Sequence, residues 1–281
     1  MKENINRRDF LKVGGAALTS GVVAFSGFVA FNNQVNQPEV APVSIPVKGL
    51  HSGLEGFTIA QLSDIHLWPL TQPELVQQAV EMANAQKPNL TVITGDHIWR
   101  DAEAAFELAD ILAGLNATYG VYIVMGNHDY WMGIDTVQAG FDSERLPVLY
   151  NQGLTIDHHG GQLYLAGMDD GWEGKFDLQA ALEKAPPGAP VVLLLHEPDL
   201  ADQVSLDGRV TLQLAGHTHG GQVRLPGDKP FALPYLGKKY ERGLYQVNQM
   251  WLYTNVGLGV ISFPVRYKCP PEITLFTLVG A

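Results

Sequence analysis

Five short polar motifs, in order along the chain, contain the residues best suited to chemistry. They are rich in carboxylate, amide and imidazole groups, which are side chains that bind divalent metal ions in proteins. The motifs are Asp64-Ile65-His66, Gly95-Asp96, Gly126-Asn127-His128-Asp129, His196 and Gly216-His217-Thr218-His219. Together they supply enough oxygen and nitrogen atoms to bind two metal ions side by side. Because paired metal ions promote the hydrolysis of phosphate esters, the set predicts that chemistry.

Each motif directly follows a predicted strand, so the elements between the motifs decide whether they meet. Strands are predicted at 57–62, 90–94, 120–125, 191–195 and 210–215, with helices at 73–86 and 101–115 between the first three strands. This alternation is typical of a largely parallel sheet covered by helices. Because such sheets place their sites just beyond the carboxyl ends of the strands, we expect the five motifs to converge there.

The spacing within the motifs supports a shared site. Residues two apart in an extended segment point the same way, so Asp64 and His66 can address one metal ion together. His217 and His219 have the same spacing, and they address either one ion or two, depending on whether their loop turns. Glycines beside the motifs allow tight turns and a close approach of the backbone to a ligand.

The second half of the chain predicts a second sheet. Shorter β segments are predicted at 154–157 and 162–167, a helix near 176–184, and C-terminal strands at 243–247, 251–254 and 273–278. We therefore predict an α/β fold over residues 56–281, in which two mixed β-sheets pack face to face with helices outside (an α/β/β/α sandwich). Residues 32–55 are predicted to be a linker.

Composition excludes several classes of protein. The 281 residues carry a net charge of −11, which argues against a nucleic-acid scaffold because such proteins normally present a basic surface. An anionic substrate stays compatible with this charge, since bound metal ions would dominate the local field. Cys269 is the single cysteine, so an intrachain disulfide and a thiolate metal cluster are both excluded. A redox protein is disfavoured for the same reason.

The amino terminus is similar to a bacterial twin-arginine (Tat) export signal. It reads Asn6-Arg7-Arg8-Asp9-Phe10-Leu11-Lys12, followed by an uncharged apolar run over 13–31. Asn6 stands where such signals usually have Ser or Thr. The nineteen apolar residues would span about 28 Å as a helix, nearly the thickness of a bilayer core. Cleavage near Ala24-Phe25-Ser26 and retention of residues 1–31 as a membrane anchor both stay open.

The five motifs, in this order, resemble those of the calcineurin-like metallophosphoesterase superfamily. The variant Gly216-His-Thr-His-Gly-Gly-Gln222, with Arg266 and Pro270-Pro271-Glu272-Ile273, resembles its bacterial Tat-exported phosphodiesterase branch. The resemblance covers residues 55–279. It implies export by the Tat translocase to the periplasm or to the extracytoplasmic face of the inner membrane.

By matching position, the resemblance implies two divalent metal ions (Mn, Fe or Zn) and their ligands. One ion would be bound by Asp64, His66 and His219, the other by Asn127, His196 and His217, with Asp96 bridging both. A hydroxide between the ions would attack phosphorus. His128 would contact the phosphate and protonate the leaving oxygen, and Asp129 would orient His128 from behind.

Several alternatives stay open at this level. The resemblance implies a phosphodiester or pyrophosphate substrate, with a lipid-linked phosphoester and membrane association among the options. Family relatives include UDP-2,3-diacylglucosamine hydrolases, which break a pyrophosphate, and a non-catalytic binding protein stabilised by metal is a further alternative. His97 either touches the site or lies behind it or on the surface. Trp68, Trp99, Tyr130 and Trp131 form either an apolar wall or ordinary loop packing. Arg266 either clamps a phosphate or makes a structural ion pair.

Overall fold

The computed structural model describes residues 34–281. The predicted export signal and anchor at 1–31 lie outside the described residues. Within 34–281, none of the helices is both long and apolar enough to cross a membrane.

The first sheet carries the motifs of the first half of the chain. Its five strands lie in the order β1 (Glu39–Val47), β13 (Glu272–Gly280), β2 (Thr58–Leu62), β3 (Leu90–Thr94) and β4 (Val121–Val124). Strands β2, β3 and β4 run parallel, whereas β13 pairs antiparallel with β2 and parallel with β1. Two helices, α1 (Pro73–Ala85) and α2 (Ala104–Leu112), connect the three parallel strands. The carboxyl ends of β2, β3 and β4 therefore lie at one edge.

The second sheet has six strands and carries the remaining motifs. Its order is β11 (Gly243–Val247), β12 (Met250–Thr254), β8 (Val210–Ala215), β7 (Val191–Leu194), β6 (Gly161–Gly167) and β5 (Gln152–His158). The four inner strands are parallel and the two outer strands pair antiparallel. Short helices α4 (Leu178–Ala181) and α5 (Ala201–Val204) and a small ribbon of β9 (Arg224–Leu225) and β10 (Lys229–Pro230) complete this half.

Three apolar clusters divide the molecule into four layers. One lies between the helices and the first sheet, one between the two sheets, and one between the second sheet and its outer helices. All five residues of β3 are buried, because both faces of that strand are covered. This arrangement confirms the predicted sandwich of two mixed sheets with flanking helices.

Strand β1 corrects the prediction of a linker at 32–55. Residues 39–47 instead pair along their whole length with β13, and Ile45 and Val47 are buried between the sheets. Pro42 and Pro46 lie within this strand, and proline is tolerated on an edge strand, where one side needs no hydrogen-bond donor. The indole nitrogen of Trp251 donates to the Pro46 carbonyl at 2.8 Å and ties this edge to the second sheet.

Helix α3 (Asn127–Ser143) is absent from the sequence prediction. Its apolar periodicity is weak, and Gly133 interrupts it with a φ of 124°, a conformation that favours glycine. Gly140 lets α3 approach α2 closely, since a Cβ there would lie 2.8 Å from the Ala105 backbone. The other predicted elements occur at their expected places, but α2 and α4 are shorter than predicted.

The correction at β1 yields a stability prediction. Ile45→Ala should lower the free energy of unfolding by about 2–4 kcal/mol, because a fully buried side chain is removed from the inter-sheet core. Chemical denaturation measures the change. Ser44→Ala, on the exposed face of the same strand, is the matched control and should change it by less than about 0.5 kcal/mol. Equal stability of the two variants would restore the linker interpretation.

Candidate metal centre

All seven predicted metal ligands lie just beyond the carboxyl ends of parallel strands, and the structure brings them together. They follow β2 (Asp64, His66), β3 (Asp96), β4 (Asn127), β7 (His196) and β8 (His217, His219), and every one is buried. Nitrogen and oxygen atoms of six of them form two compact groups, each with atoms within 4.8 Å of one another: Asp64, His66 and His219, and Asp96, His196 and His217. A third such group joins His66 and Asp96 to His128. The predicted convergence is therefore observed.

The backbone turns sharply where the ligands begin. Asp64, His66 and Asp96 have φ values of 47°, 47° and 55°, and His217 and His219 have 74° and 52°. Such left-handed conformations cost a non-glycine residue about 1–2 kcal/mol each, and they cluster at functional sites. Backbone hydrogen bonds across the loops, such as Asp64 N to Gly95 O at 3.0 Å, hold these turns in place.

In the first group, two imidazole nitrogens face each other. His66 Nε2 lies 3.0 Å from His219 Nε2 and 3.4 Å from an Asp96 oxygen, and His219 Nε2 lies 3.4 Å from Asp64 Oδ1. Burial lowers the pKa of His66 to about 3 and the pKa of His219 well below its ordinary value. Both rings are therefore neutral, which is the form that binds metal ions.

In the second group, hydrogen bonds behind the rings fix which nitrogen faces the site. His196 Nδ1 donates to the Thr94 carbonyl at 2.6 Å, and His217 Nε2 donates to the Tyr235 carbonyl at 2.7 Å. The opposite nitrogens, His196 Nε2 and His217 Nδ1, point into the site. A metal-binding histidine usually has such a partner on its far nitrogen.

Three buried atoms, from His196, His217 and the neighbouring motif residue Asn127, test whether metal ions fit. Among residues 34–281, His217 Nδ1 and Asn127 Oδ1 are buried without a hydrogen-bond partner, and His196 Nε2 has the Asp96 carboxylate beside it at 3.2 Å. Leaving a buried polar atom unpaired costs about 1–3 kcal/mol, so a convergent set of them requires an explanation. A divalent cation bound beside them supplies it, because each atom offers a lone pair once His196 has lost its Nε2 proton.

The carboxylates lead to the same conclusion. Burial is the main factor that raises the pKa of Asp64 to about 7, although two backbone-amide contacts from His217, at 2.9 and 3.0 Å, oppose the shift. The Asp96 oxygens lie 3.2 Å from His196 Nε2 and 3.4 Å from His66 Nε2. Two buried carboxylates among largely neutral rings form a site that bound cations would neutralise.

Two glycines allow the ligands to approach. A Cβ at Gly126 would lie 2.4 Å from an Asp96 oxygen, and a Cβ at Gly216 would lie 2.2 Å from an Asp64 oxygen. Any side chain at either position would displace a carboxylate. Both glycines therefore allow the backbone to lie against a ligand carboxylate.

His128 is half-buried. Together with Trp99 and Trp131 it lines the opening of the site, which we call the mouth. The backbone N–H of His128 donates to Asp96 Oδ1 at 2.9 Å, which fixes the start of helix α3 against the metal ligands. Its ring contacts Trp99 and Trp131 at centroid distances of 4.6 and 4.7 Å. His128 Nδ1 is another buried atom that lacks a hydrogen-bond partner in the described part of the chain.

The structure corrects the predicted role of Asp129. Its carboxylate accepts hydrogen bonds from His97 Nδ1 at 2.7 Å, from the His97 amide at 2.9 Å and from the Gly126 amide at 2.9 Å. Asp129 is the third residue of helix α3, so it turns back to the helix start and away from His128. The interpretation that Asp129 orients His128 is wrong. His97 lies behind the ligands, which was one of its open alternatives.

Arg266 has a structural role. Its guanidinium is fully buried and donates to the carbonyls of Val256, Gly259 and Cys269 at 2.9, 3.0 and 3.2 Å. It also lies 3.4 Å from His219 Nδ1. Arg266 therefore holds the loop over 256–269 behind His219.

The aromatic wall differs in part from the sequence interpretation. Trp99 and Trp131 line the mouth, but Trp68 donates to Glu107 and Tyr130 donates to Asp169, and both bonds lie away from the ligands. The structure adds Trp172 and Tyr235. Trp172 packs against Trp131 at 5.2 Å and against Tyr235 at 5.2 Å. Neither residue adjoins a motif, so the sequence held no signal for them.

The chain is similar to several known proteins. Residues 57–221 match the family model described as calcineurin-like phosphoesterase. The chain belongs to the calcineurin-like phosphoesterase family. It is 33% identical to an uncharacterized metallophosphoesterase, YkuE, of Bacillus subtilis, over 98% of each chain. It is 32% identical to the phosphodiesterase YaeI of Escherichia coli, over 79% of this chain and 82% of that one.

A further relative is the transmembrane protein with metallophosphoesterase domain of Bos taurus, 32% identical over 94% of this chain and 62% of that protein. Membership of the calcineurin-like family, together with the two groups of ligand atoms, makes the protein a metal-dependent phosphoester hydrolase that uses two divalent ions.

Asp96 lies beside histidines of both ligand groups, so its substitution should release metal ions. Asp96→Asn should lower the metal content from about two ions per chain to about one or none, because an amide offers one neutral oxygen where two charged ones stood. Mass spectrometry of metals in the purified protein measures the ratio. His159→Gln, at an exposed histidine, is the control and should retain both ions. A full complement of metal in Asp96→Asn would contradict the assignment.

The pKa shifts predict how metal affinity depends on pH. The pKa of Asp64 is raised to about 7 by burial. Burial lowers the pKa of His196, but the nearby carboxylates of Asp96, Asp64 and Glu197 together raise it well above its ordinary value. Below these pKa values both groups hold protons that a metal ion must displace. Affinity for Mn²⁺ should therefore rise with pH, by at least about tenfold per unit below about pH 7.

Calorimetric titration near pH 6 and pH 8, each in two buffers of different ionisation enthalpy, measures affinity and proton release. Binding without proton release at the lower pH would contradict this prediction.

Proposed function

We propose that this protein is an exported dimetal phosphodiesterase that hydrolyses a phosphodiester or a pyrophosphate. The observation that carries the proposal is the convergence of buried carboxylate and imidazole atoms from two sheets, in groups within 4.8 Å, with the half-buried His128 in contact with them. Structural metal sites are usually closed by their ligands, whereas this one has an accessible side chain directly beside the ligands.

We assign Asp64, His66 and His219 to one ion and Asn127, His196 and His217 to the other, with Asp96 shared. The distances support this division, since Asp96 lies within 3.4 Å of His66 in one group and 3.2 Å of His196 in the other. When bound, two such ions lower the pKa of water and neutralise charge on the phosphoryl oxygens. The protein holds their ligands in place through the Thr94 and Tyr235 carbonyls.

His128 is the residue that we assign to proton transfer. Its ring is fixed between two tryptophans, and its backbone is bonded to Asp96, so its position relative to the metal ligands is set. An imidazole at this place can bind a phosphoryl oxygen and give a proton to the departing oxygen. Such acid catalysis contributes about 10²–10⁴ in rate.

The rim of the site favours a diester over a monoester. Trp131, Trp172 and Tyr235 form a continuous row of rings from the mouth outwards, and their exposed fractions are 45, 37 and 58%. The second ester group of a diester would cover these rings, whereas a monoester would leave them in water. The similarity to a relative named as a phosphodiesterase supports the same choice.

The sequence supports an extracytoplasmic location by the Tat route, in the periplasm or on the outer face of the inner membrane. The paired Arg7 and Arg8, followed by the apolar run over 13–31, carry this part of the proposal. Proteins on that route cross the membrane folded. A lipid-linked phosphoester on that face is then the substrate class that we favour.

The role of His128 predicts a specific loss of turnover. His128→Gln should lower kcat on bis-p-nitrophenyl phosphate by about 10²–10⁴ while both metal ions are retained. Asp129→Asn should instead lower the free energy of unfolding by about 1–3 kcal/mol, since it weakens buried hydrogen bonds to two backbone amides. Assays with nitrophenyl mono- and diesters, beside metal analysis, measure these effects.

His159→Gln is again the control and should match the wild type. Two bound metal ions without turnover on either ester, even after Mn²⁺ is added, would replace this proposal with that of a metal-stabilised binding protein.

A further inference from the structure

Three aromatic side chains stand exposed on two neighbouring segments beside the metal centre. Phe231 and Tyr235 are 60 and 58% exposed, and Phe263 is 38% exposed. The rings of Phe231 and Phe263 contact each other at a centroid distance of 6.4 Å. We call residues 229–236 and 261–268 together the aromatic face. Several exposed aromatic side chains close together mark a surface that binds a protein, a ligand or a membrane.

Buried polar contacts hold the aromatic face in a fixed shape. The side-chain amide of Gln222 donates to the carbonyls of Ile261, Phe263 and Val265 at 3.2, 3.0 and 3.0 Å. The Phe231 amide donates to the Val223 carbonyl at 2.8 Å, which joins the first segment to the same support. The rings therefore lie on a preformed surface, so little conformational entropy is lost when this surface binds a partner.

The aromatic face is continuous with the mouth of the metal centre. The carbonyl of Tyr235 accepts a hydrogen bond from His217 Nε2, while its ring packs against Trp172, which in turn packs against Trp131. An extended surface that binds the aromatic face would therefore also cover the mouth of the metal centre.

The charge of this region is opposite to that of the whole chain. Residues 224–268 contain seven basic and two acidic residues, hence a net charge of +5, whereas the chain carries −11. Of the basic residues, Arg224 and Arg266 are buried and Lys239 is paired with Asp202, which leaves the remaining lysines as the free surface charges. Both acidic residues, Asp228 and Glu241, are bonded to Arg224. Lys229 and Lys268 are exposed at the border of the aromatic face. Aromatic rings beside lysines are the combination that binds the surface of an anionic membrane.

The course of the chain points to the same surface. The amide of Gln34 donates to the Arg266 carbonyl at 2.9 Å, so the described chain begins against the segment that carries Phe263. Two residues separate Gln34 from Phe31, the last residue of the apolar run. The chain from Phe31 to Gln34 therefore spans at most about 11 Å. An apolar run held in a membrane would therefore leave the aromatic face at the membrane surface.

We propose that the aromatic face docks on an anionic phospholipid bilayer, with its rings in the interfacial layer and its lysines against the headgroups. The opening of the metal centre then faces the headgroup layer directly. This inference rests on the proposed location of the protein at a membrane, but not on which phosphoester is hydrolysed.

Depth-dependent quenching of fluorescence tests the docking. The full-length chain is reconstituted into phosphatidylglycerol vesicles after a nitrobenzoxadiazole label is placed on Phe231→Cys, Phe263→Cys or Ser52→Cys. The native Cys269 is 1% exposed, and labelled wild type gives its background. Ser52 precedes β2 at the edge opposite the metal centre and is exposed, so it is the matched control.

The labels at 231 and 263 should lose at least about half of their fluorescence to lipids that carry a nitroxide near the headgroup, whereas the label at 52 should keep it. The combined change Lys229→Gln and Lys268→Gln should reduce that quenching at least about twofold, as should replacement of phosphatidylglycerol by phosphatidylcholine.

Equal quenching at all three positions, or none at 231 and 263 in vesicle-bound protein, would overturn the proposal. Chemical cross-links between copies through position 263 that persist without lipid would identify a second copy of the chain as the occupant instead, and would also overturn it.

Discussion

The buried carboxylate of Asp96 is the interaction on which the rest of the site depends. It lies at the end of β3, within 3.4 Å of a histidine that follows β2 and 3.2 Å of one that follows β7. Its other oxygen accepts the amide of His128 at the start of α3. A negative charge in this position requires compensation, and the compensating groups come from both sheets. The need to compensate the charge of Asp96 therefore links the two sheets at one edge.

The residues behind the ligands explain how this edge is kept in order. Thr94 and Tyr235 accept the far nitrogens of two histidines, Asp129 holds His97 and the start of α3, and Arg266 fixes the loop behind His219. None of these contacts reaches the mouth. They set the direction of the lone pairs, so the chemistry at the mouth rests on a rigid support.

Much of this arrangement could be predicted from the sequence, because strand periodicity and the motifs after each strand depend on local patterns. The sandwich and the meeting of the ligands followed from them. Strand β1 was not predicted because its prolines are atypical of a strand and because its formation depends on pairing with β13, more than 200 residues away in the sequence. Asp129 was misassigned because neighbouring residues in a helix point in different directions, and its partner His97 is 32 residues away. Trp172 and Tyr235 reach the mouth only through the tertiary fold.

The pairing of Asp64 with His217, across 153 residues of sequence, has a consequence for how the protein is made. The two sheets must both be built and docked before these groups can meet, and such distant pairing makes folding slow. A nascent chain would carry an incomplete site until residue 219 had left the ribosome. Metal ions would thus be captured by a finished fold, and the identity of the captured ion would depend on the compartment in which folding ends.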